Sequence, residues 1–396
     1  MLDFSKLYPQ IAKLGEYRAL RRREVESKLG LAKERLSSAD AKKLSERASI
    51  AKTSWLIALP KSEHPSSTYR APATPKSYAV LAADGSQVEP SRDAIGSLHL
   101  LNIGTVAIAY GPSPSADLES DPKLYFEEND VIVTFGGEQR EVAGQVLKAK
   151  RDLLELAALR KRISRVPLLP AIALVDGTLI LWHVEPKPEN YRRLPAHDLK
   201  KRVFEAMFSL LSSAREARVP VAGYISAPGS TDVINLVRID LCPLEAIDCD
   251  SCPFSPEERR CRAVDGLADS MLFRSMLNPG ERSAIFASSS SILTTYPMGH
   301  TISFFYLNVG PEVARVEIPE WIAAERKLLE TTHALVLDQA SKGSGYPISL
   351  AEAHEQAVVK EADREAFSRL VWQFQAKKGL KFQDSQKTRL KRRIFV

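Results

Sequence analysis

Two apolar runs, YAVLAADGS at 78–86 and AIALVDGT at 171–178, each close on an Asp-Gly pair, and they constrain the fold more than any other feature. Runs this apolar read as strands buried on both faces, and Asp-Gly reads as the turn that ends them. Taken singly, either pair is an ordinary turn. Taken together they predict two carboxylates, Asp84 and Asp176, at the ends of two core strands.

The elements around these runs supply an order. LHLLNIGTVAIAYG and DVIVTF follow the first run as two further strands, giving a three-stranded antiparallel meander. Apolar positions Val142, Val146, Leu153, Leu154 and Leu156 recur at helical spacing between Gln139 and Arg162, just before the second run. A second long helix is predicted over 196–218, and VPVAGYIS reads as another short strand. Three strands, helix, strand, helix, strand is the order of a ribonuclease H-like α/β fold, a mixed sheet in which the first and fourth strands are neighbours. That adjacency would bring Asp84 and Asp176 together. Further strands are expected in SAIFASSSSIL, TISFFYLNV and VARVEIP, and further helices over 319–342 and 349–376. The expected organisation is a helical region at 1–60, a Pro-rich linker at 61–76, one domain over 77–376 with a cysteine insertion at about 242–261, and a basic tail at 377–396.

Charge is distributed unevenly. Residues 1–52 hold 13 basic and 7 acidic side chains, and residues 377–396 hold 8 basic and 1 acidic, so a net charge of +6 conceals an acidic middle of −7. Basic ends on an acidic body suit a protein that handles a polyanion with a carboxylate-rich centre; solvated termini would look the same. No apolar run approaches the roughly 20 residues a membrane helix needs, and the start carries no secretory pattern, so a cytoplasmic location is expected.

Adjacent carboxylates favour a hard divalent cation, magnesium or manganese, which can polarise a phosphodiester and activate water. Glu155, inside the apolar stripe of RDLLELAALRKR, is a third candidate, although the pattern equally allows an exposed position. Of seven histidines, spacing does not choose between His300 and His354, and His64 lies in the linker. Arg92 and the tail are candidate contacts to a phosphodiester backbone. Cys242, Cys249, Cys252 and Cys261 form a C-x6-C-x2-C-x8-C cluster. Its spacing suits tetrahedral zinc or a four-cysteine iron–sulfur cluster, with free thiols or a redox pair as alternatives.

Jointly, AADGS, the helix with Glu155, LVDGTL, FFYLNVGPEVARVEIPEWIA and GSGYPISLAEAHEQAVV resemble the NurA nucleases, ribonuclease H-like manganese-dependent enzymes that process DNA ends. The resemblance spans about residues 76–370. It implies that Asp84, Glu155 and Asp176 bind the metal, that Tyr346 and His354 complete the active site, and that His354 rather than His300 is the functional histidine. It also implies single-strand endonuclease and 5′-to-3′ exonuclease activity on DNA, a homodimer, and a HerA-type hexameric ATPase as partner in end resection and double-strand-break repair. The chain carries no G-x4-GK-[ST] phosphate loop and so is not itself that motor. The cysteine cluster departs from the family pattern. An inactive nucleic-acid-binding subunit and a nuclease acting on RNA are the alternative readings.

Overall fold

The computed structural model describes residues 2–89, 98–135, 138–166, 170–182 and 196–379. The chain opens with helices α1 (Phe4–Ser38) and α2 (Ala41–Ile50) and short strands β1 (Ala58–Pro60) and β2 (Thr68–Arg70). Next come strands β3 (Tyr78–Val88), β4 (His99–Tyr110) and β5 (Ser115–Tyr125), a single turn α3 (Glu128–Val131), and strands β6 (Ile132–Phe135) and β7 (Glu138–Glu141). Helix α4 (Gln145–Ile163), strand β8 (Ala171–Asp176), helix α5 (Ala196–Glu216), strand β9 (Val221–Ile225) and helices α6 (Asp232–Leu241) and α7 (Asp269–Met276) follow. The remainder is strands β10 (Glu281–Ser283), β11 (Phe286–Ser288), β12 (Ile302–Asn308) and β13 (Val313–Pro319), then helices α8 (Glu320–Ala323), α9 (Arg326–Lys342), α10 (Ile348–Ala357) and α11 (Glu361–Lys377). Among the described residues, no helix is long and apolar enough to cross a membrane.

The chain divides into two compact units, one of residues 1–74, 177–180 and 222–347, the other of residues 75–176, 181–221 and 348–396. In the second unit, β3 and β4 pair antiparallel over eleven residues and β4 pairs β5 likewise, while β3 pairs β8 in parallel. The expected neighbours, first and fourth strands, are therefore side by side in a mixed sheet flanked by helices. The core strands are built largely of small residues, with Ala79, Ala82, Ala171 and Ala173 fully buried. Small side chains let α4 lie close on the sheet, burying Leu147, Leu156, Leu159 and Ile163.

Four sequence expectations need correction here. The third strand of the meander is Ser115–Tyr125, not DVIVTF, which instead forms a separate two-stranded ribbon with β7. Every residue of β5 except Tyr125 is exposed. An edge strand carrying Asp117, Glu119, Asp121 and Pro122 has no alternating apolar pattern to read, and such charges also discourage edge-to-edge aggregation. The predicted helix from Gln139 begins only at Gln145, because 138–141 belongs to the ribbon. The helices expected over 319–342 and 349–376 each break in two, at residues 324–325 and 358–360. Finally, Asp84-Gly85 is no turn: β3 continues through it to Val88, held by pairing of Asp84 with Gly104 and Gly85 with Ile103.

The first unit forms the order β1-β11-β12-β13-β9, with β10 bridging β12 and β2. The stretch read as a linker thus contributes β2, and Glu63 within it pairs with Arg282 at 2.8 Å. Helices α1, α2, α6 and α7 share one apolar core with Phe286, Phe304 and Tyr306. At its polar centre, buried Arg315 spans Asp232 and Glu317 at 2.8 and 3.0 Å. The Asp269 carboxylate accepts the first-turn amides of Val233 and Ile234 and the Tyr306 hydroxyl. These are the donors an α6 N-terminus leaves open.

Each unit also buries an imidazole. Burial pushes His99 and His333 down from 6.5 to about 4. Neither ring nitrogen of His99 has a hydrogen-bond partner, and the ring stacks on Tyr125 at 5.0 Å. Because the folded state prefers both rings neutral, their contribution is whole above pH 6.5 and is lost as pH falls towards 4. Each should cost about 3 kcal/mol of stability by pH 4. Denaturant midpoints at pH 7 and pH 5 should show the decline, and His99→Phe should roughly halve it, leaving the share of His333; an unchanged slope would contradict this assignment.

Candidate functional site

The parallel register runs as far as Ala83↔Val175, and the next residue on each strand is an aspartate, Asp84 on β3 and Asp176 on β8. Asp176 is the last residue of β8 and is exposed, and Gly177 after it takes a positive φ of 93° that ends the strand. Asp84 sits in mid-strand, with its side chain 20 % exposed. The turn chemistry read from sequence holds at Asp176 and fails at Asp84.

Helix α10 is brought onto β3 and β4 by absent side chains and by capping. A Cβ on Gly104 would lie 2.3 Å from the Ala353 carbonyl oxygen and 2.5 Å from the Ala357 nitrogen. The open end of α10 is held by Ser86 Oγ and Asn102 Nδ2, which donate to the Ala357 carbonyl at 2.5 and 2.8 Å. Residues paired directly across antiparallel strands point to one face, so Asp84 and Gly104 both face α10. There Asp84 Oδ2 meets Nδ1 of His354 at 2.8 Å. The His354 side chain is 62 % exposed.

Gly85 faces the opposite way, towards α4. A Cβ there would be 2.6 Å from Glu155 Oε1 and 2.8 Å from Arg151 Cγ. Glu155 therefore reaches the strand pair across a bare glycine, from the face opposite His354. Its Oε1 is shielded from water and has no hydrogen-bond partner, although Arg151 Nε is 3.0 Å away, too poorly aligned to donate. Desolvation first, with Asp152, Asp84 and Asp176 adding repulsion against the pull of Arg151, pushes the Glu155 carboxyl up to about 8. Arg151 is a residue the sequence reading missed, though its position four before Glu155 on α4 could have revealed it.

Tyr346 belongs to the other unit. Its ring meets Tyr224 edge-on at 5.6 Å, and the Tyr224 hydroxyl lies 3.0 Å from Glu312 Oε1 and 3.1 Å from the Gly345 carbonyl. Arg92 and residues 380–396 of the basic tail lie outside the described residues. His64 contacts Ser66 and the Ala39 carbonyl, and His300 is buried. The cysteines are free thiols, all half-buried, between α6 and the 3-10 turn Arg260–Val264.

The NurA domain family matches residues 78–359. The chain belongs to the NurA family. It is thereby a member of a nuclease family, and the matched region includes the candidate residues Asp84, Glu155, Asp176, Tyr346 and His354. Among solved structures, a crystal structure of NurA with manganese aligns at TM-score 0.40 and 12 % identity, covering 76 % of this chain and 90 % of that one. A second, of NurA, aligns at TM-score 0.40 and 11 % identity over 76 % and 89 %. A third, of NurA bound to dAMP and manganese, aligns at 0.34 and 12 % over 74 % and 88 %. Comparison with curated protein sequences finds no match.

A divalent cation suits the residues of this NurA site by donor chemistry. The carboxylates are hard oxygen donors, Glu155 Oε1 is buried without a hydrogen bond, and the mutual repulsion is the kind that a cation relieves. Among the described residues, no three His, Cys, Asp or Glu side chains are yet gathered closely enough to hold one. The approach of Glu155 and His354 from opposite faces of the sheet accounts for the open arrangement.

Proposed function

We propose that this chain is a metal-dependent deoxyribonuclease with a ribonuclease H-like catalytic fold, using manganese or magnesium. Its activities are single-strand endonuclease and 5′-to-3′ exonuclease cleavage. It works as a homodimer with a HerA-type hexameric ATPase in DNA end resection and double-strand-break repair. The observation that carries the reading is the adjacency of Asp84 and Asp176 on parallel strands, with Glu155 repelled by both. Family membership supports the nuclease class, and the basic ends favour a polyanionic substrate bound through its backbone.

Asp84 and Asp176 would hold the cation, with His354 at its margin, and Glu155, arriving across Gly85 from the other face, would serve as a further ligand or as the base that orients the water. The cation would supply Lewis acidity at the phosphate and an activated water. The protein's own part is orientation and proton transfer. Asp84 would fix the His354 ring through Nδ1, so that in the imidazolium form the Nε2 proton is the one handed to the departing 3′ oxygen, leaving the ring neutral. Water forms the new bond to phosphorus as the P–O bond to that oxygen breaks. Tyr346 would hydrogen-bond phosphate or water through its hydroxyl.

Gly85→Ala provides a local check. Glu155 Oε1 and Ile103 Cδ1 end flexible side chains while Arg151 Cγ does not, so the fold should lose about 1 kcal/mol, the low end of overpacking, whereas displacement of Glu155 should slow cleavage about a hundredfold. Full activity in that variant would remove Glu155 from the site. Competition between DNA and RNA oligonucleotides of the same sequence tests the substrate class. Degradation of DNA from its 5′ end, abolished by EDTA and unaffected by excess RNA, is the expected result; preferential loss of RNA would overturn the assignment.

A further inference from the structure

The cysteine cluster is not used by this chemistry. Cys242 caps the C-terminus of α6, and Cys261 lies in the 3-10 turn Arg260–Val264. Between them the backbone forms no helix or strand, only a one-residue bridge between Asp248 and Lys52. A segment of that length inside a compact unit is unusual unless something other than backbone pairing orders it.

The frame around it is well anchored. Lys52 N donates to the Ile247 carbonyl and Cys249 N to the Lys52 carbonyl, each at 2.9 Å. Arg47 donates to the carbonyls of Cys242 and Leu244. Asp248 Oδ1 accepts the amides of Asp250 and Ser251, which turns the chain back between Cys249 and Cys252. Cys242 and Cys249 pack against the apolar core shared by α1, α2 and α6. All four cysteines are half-buried, and none is joined in a disulfide.

We propose that Cys242, Cys249, Cys252 and Cys261 form a four-thiolate metal site, holding a zinc ion or an iron–sulfur cluster, which locks this loop against α1 and α2. Both groups take four cysteine sulfurs, whereas magnesium and manganese prefer oxygen, so the site is chemically separate from the carboxylate centre. All four cysteines fall within the segment that Lys52, Arg47 and Asp248 anchor, with Cys242 and Cys249 against its apolar side. Among the described residues the four thiols are not gathered into a ligand set, so a metal would have to draw them together, and binding would neutralise the thiolates and close the loop.

The test uses the full-length chain, purified with and without oxygen and assayed for zinc, iron and acid-labile sulfide, beside a Cys249→Ser/Cys252→Ser variant. About one zinc per chain without visible absorption identifies the zinc form. Iron with sulfide and broad visible absorption identifies the cluster. Either should fall about tenfold or more in the variant. Should that variant fail to fold, thiol titration of the wild type decides: the four thiols should stay protected until a chelator releases the metal. A wild-type chain that retains neither group after supply of zinc, or of iron and sulfide, overturns the proposal. So do four thiols that react freely in the native protein, or disulfides among them. None of these readouts involves DNA, so the result stands apart from the nuclease assignment.

Discussion

Asp84→Asn and Asp176→Asn should each reduce DNA cleavage about a thousandfold while shifting the thermal midpoint by only a few degrees. Asparagine keeps the shape of each side chain, and at residue 84 it keeps an oxygen facing His354 Nδ1. What it removes is the negative charge that a divalent cation requires. The same change relieves repulsion on Glu155, which both aspartates push towards its protonated form. Stability and activity should therefore separate, and single-turnover cleavage measured beside a melting curve checks both. Cleavage within tenfold of the parent in either variant would mean that the β3/β8 strand pair is not the catalytic centre.

Gly104→Ala should damage both properties together. Its new methyl would fall within 2.5 Å of two backbone atoms of α10, which cannot swing aside as a side chain can. The helix must lift, stretching the bonds from Ser86 and Asn102 to the Ala357 carbonyl and drawing His354 away from Asp84. The expected cost is about 1–3 kcal/mol of stability and, for a displacement near 1 Å, about a hundredfold in rate. Urea unfolding and cleavage of the same preparation measure the two effects. A variant of parental stability and activity would refute the packing of α10 on β4.

The contrast between Gly85 and Gly104 shows why some of the site could be read from sequence and some could not. The apolar runs before Asp84 and Asp176 revealed two buried strands, and their order predicted that the two lie side by side, as the parallel pair β3 and β8 does. Local signals misled where pairing overrode them. Asp84-Gly85 carries turn chemistry but lies inside an eleven-residue ladder, where the glycine serves to admit Glu155. Strand β5 was invisible because all its residues but Tyr125 are exposed and its order comes from pairing with β4 and from ion pairs of Asp117 and Glu119 with Arg162. Gly104 gave no signal, since its role depends on a helix some 250 residues further along the chain. The choice of His354 came from resemblance rather than spacing, because the partner of its Nδ1, Asp84, lies far away in sequence. Arg151 was legible, as a cation one helical turn before a carboxylate, but only once Glu155 was known to be shielded.

The most direct measurement is a time course of end-labelled single- and double-stranded DNA with the wild-type chain and Asp84→Ala side by side, in manganese and in EDTA. Manganese-dependent loss of label with the wild type, and none with the variant or in EDTA, is the result this account predicts. Equal cleavage by both proteins, or DNA bound but left intact by the wild type even with a HerA-type ATPase present, would contradict it.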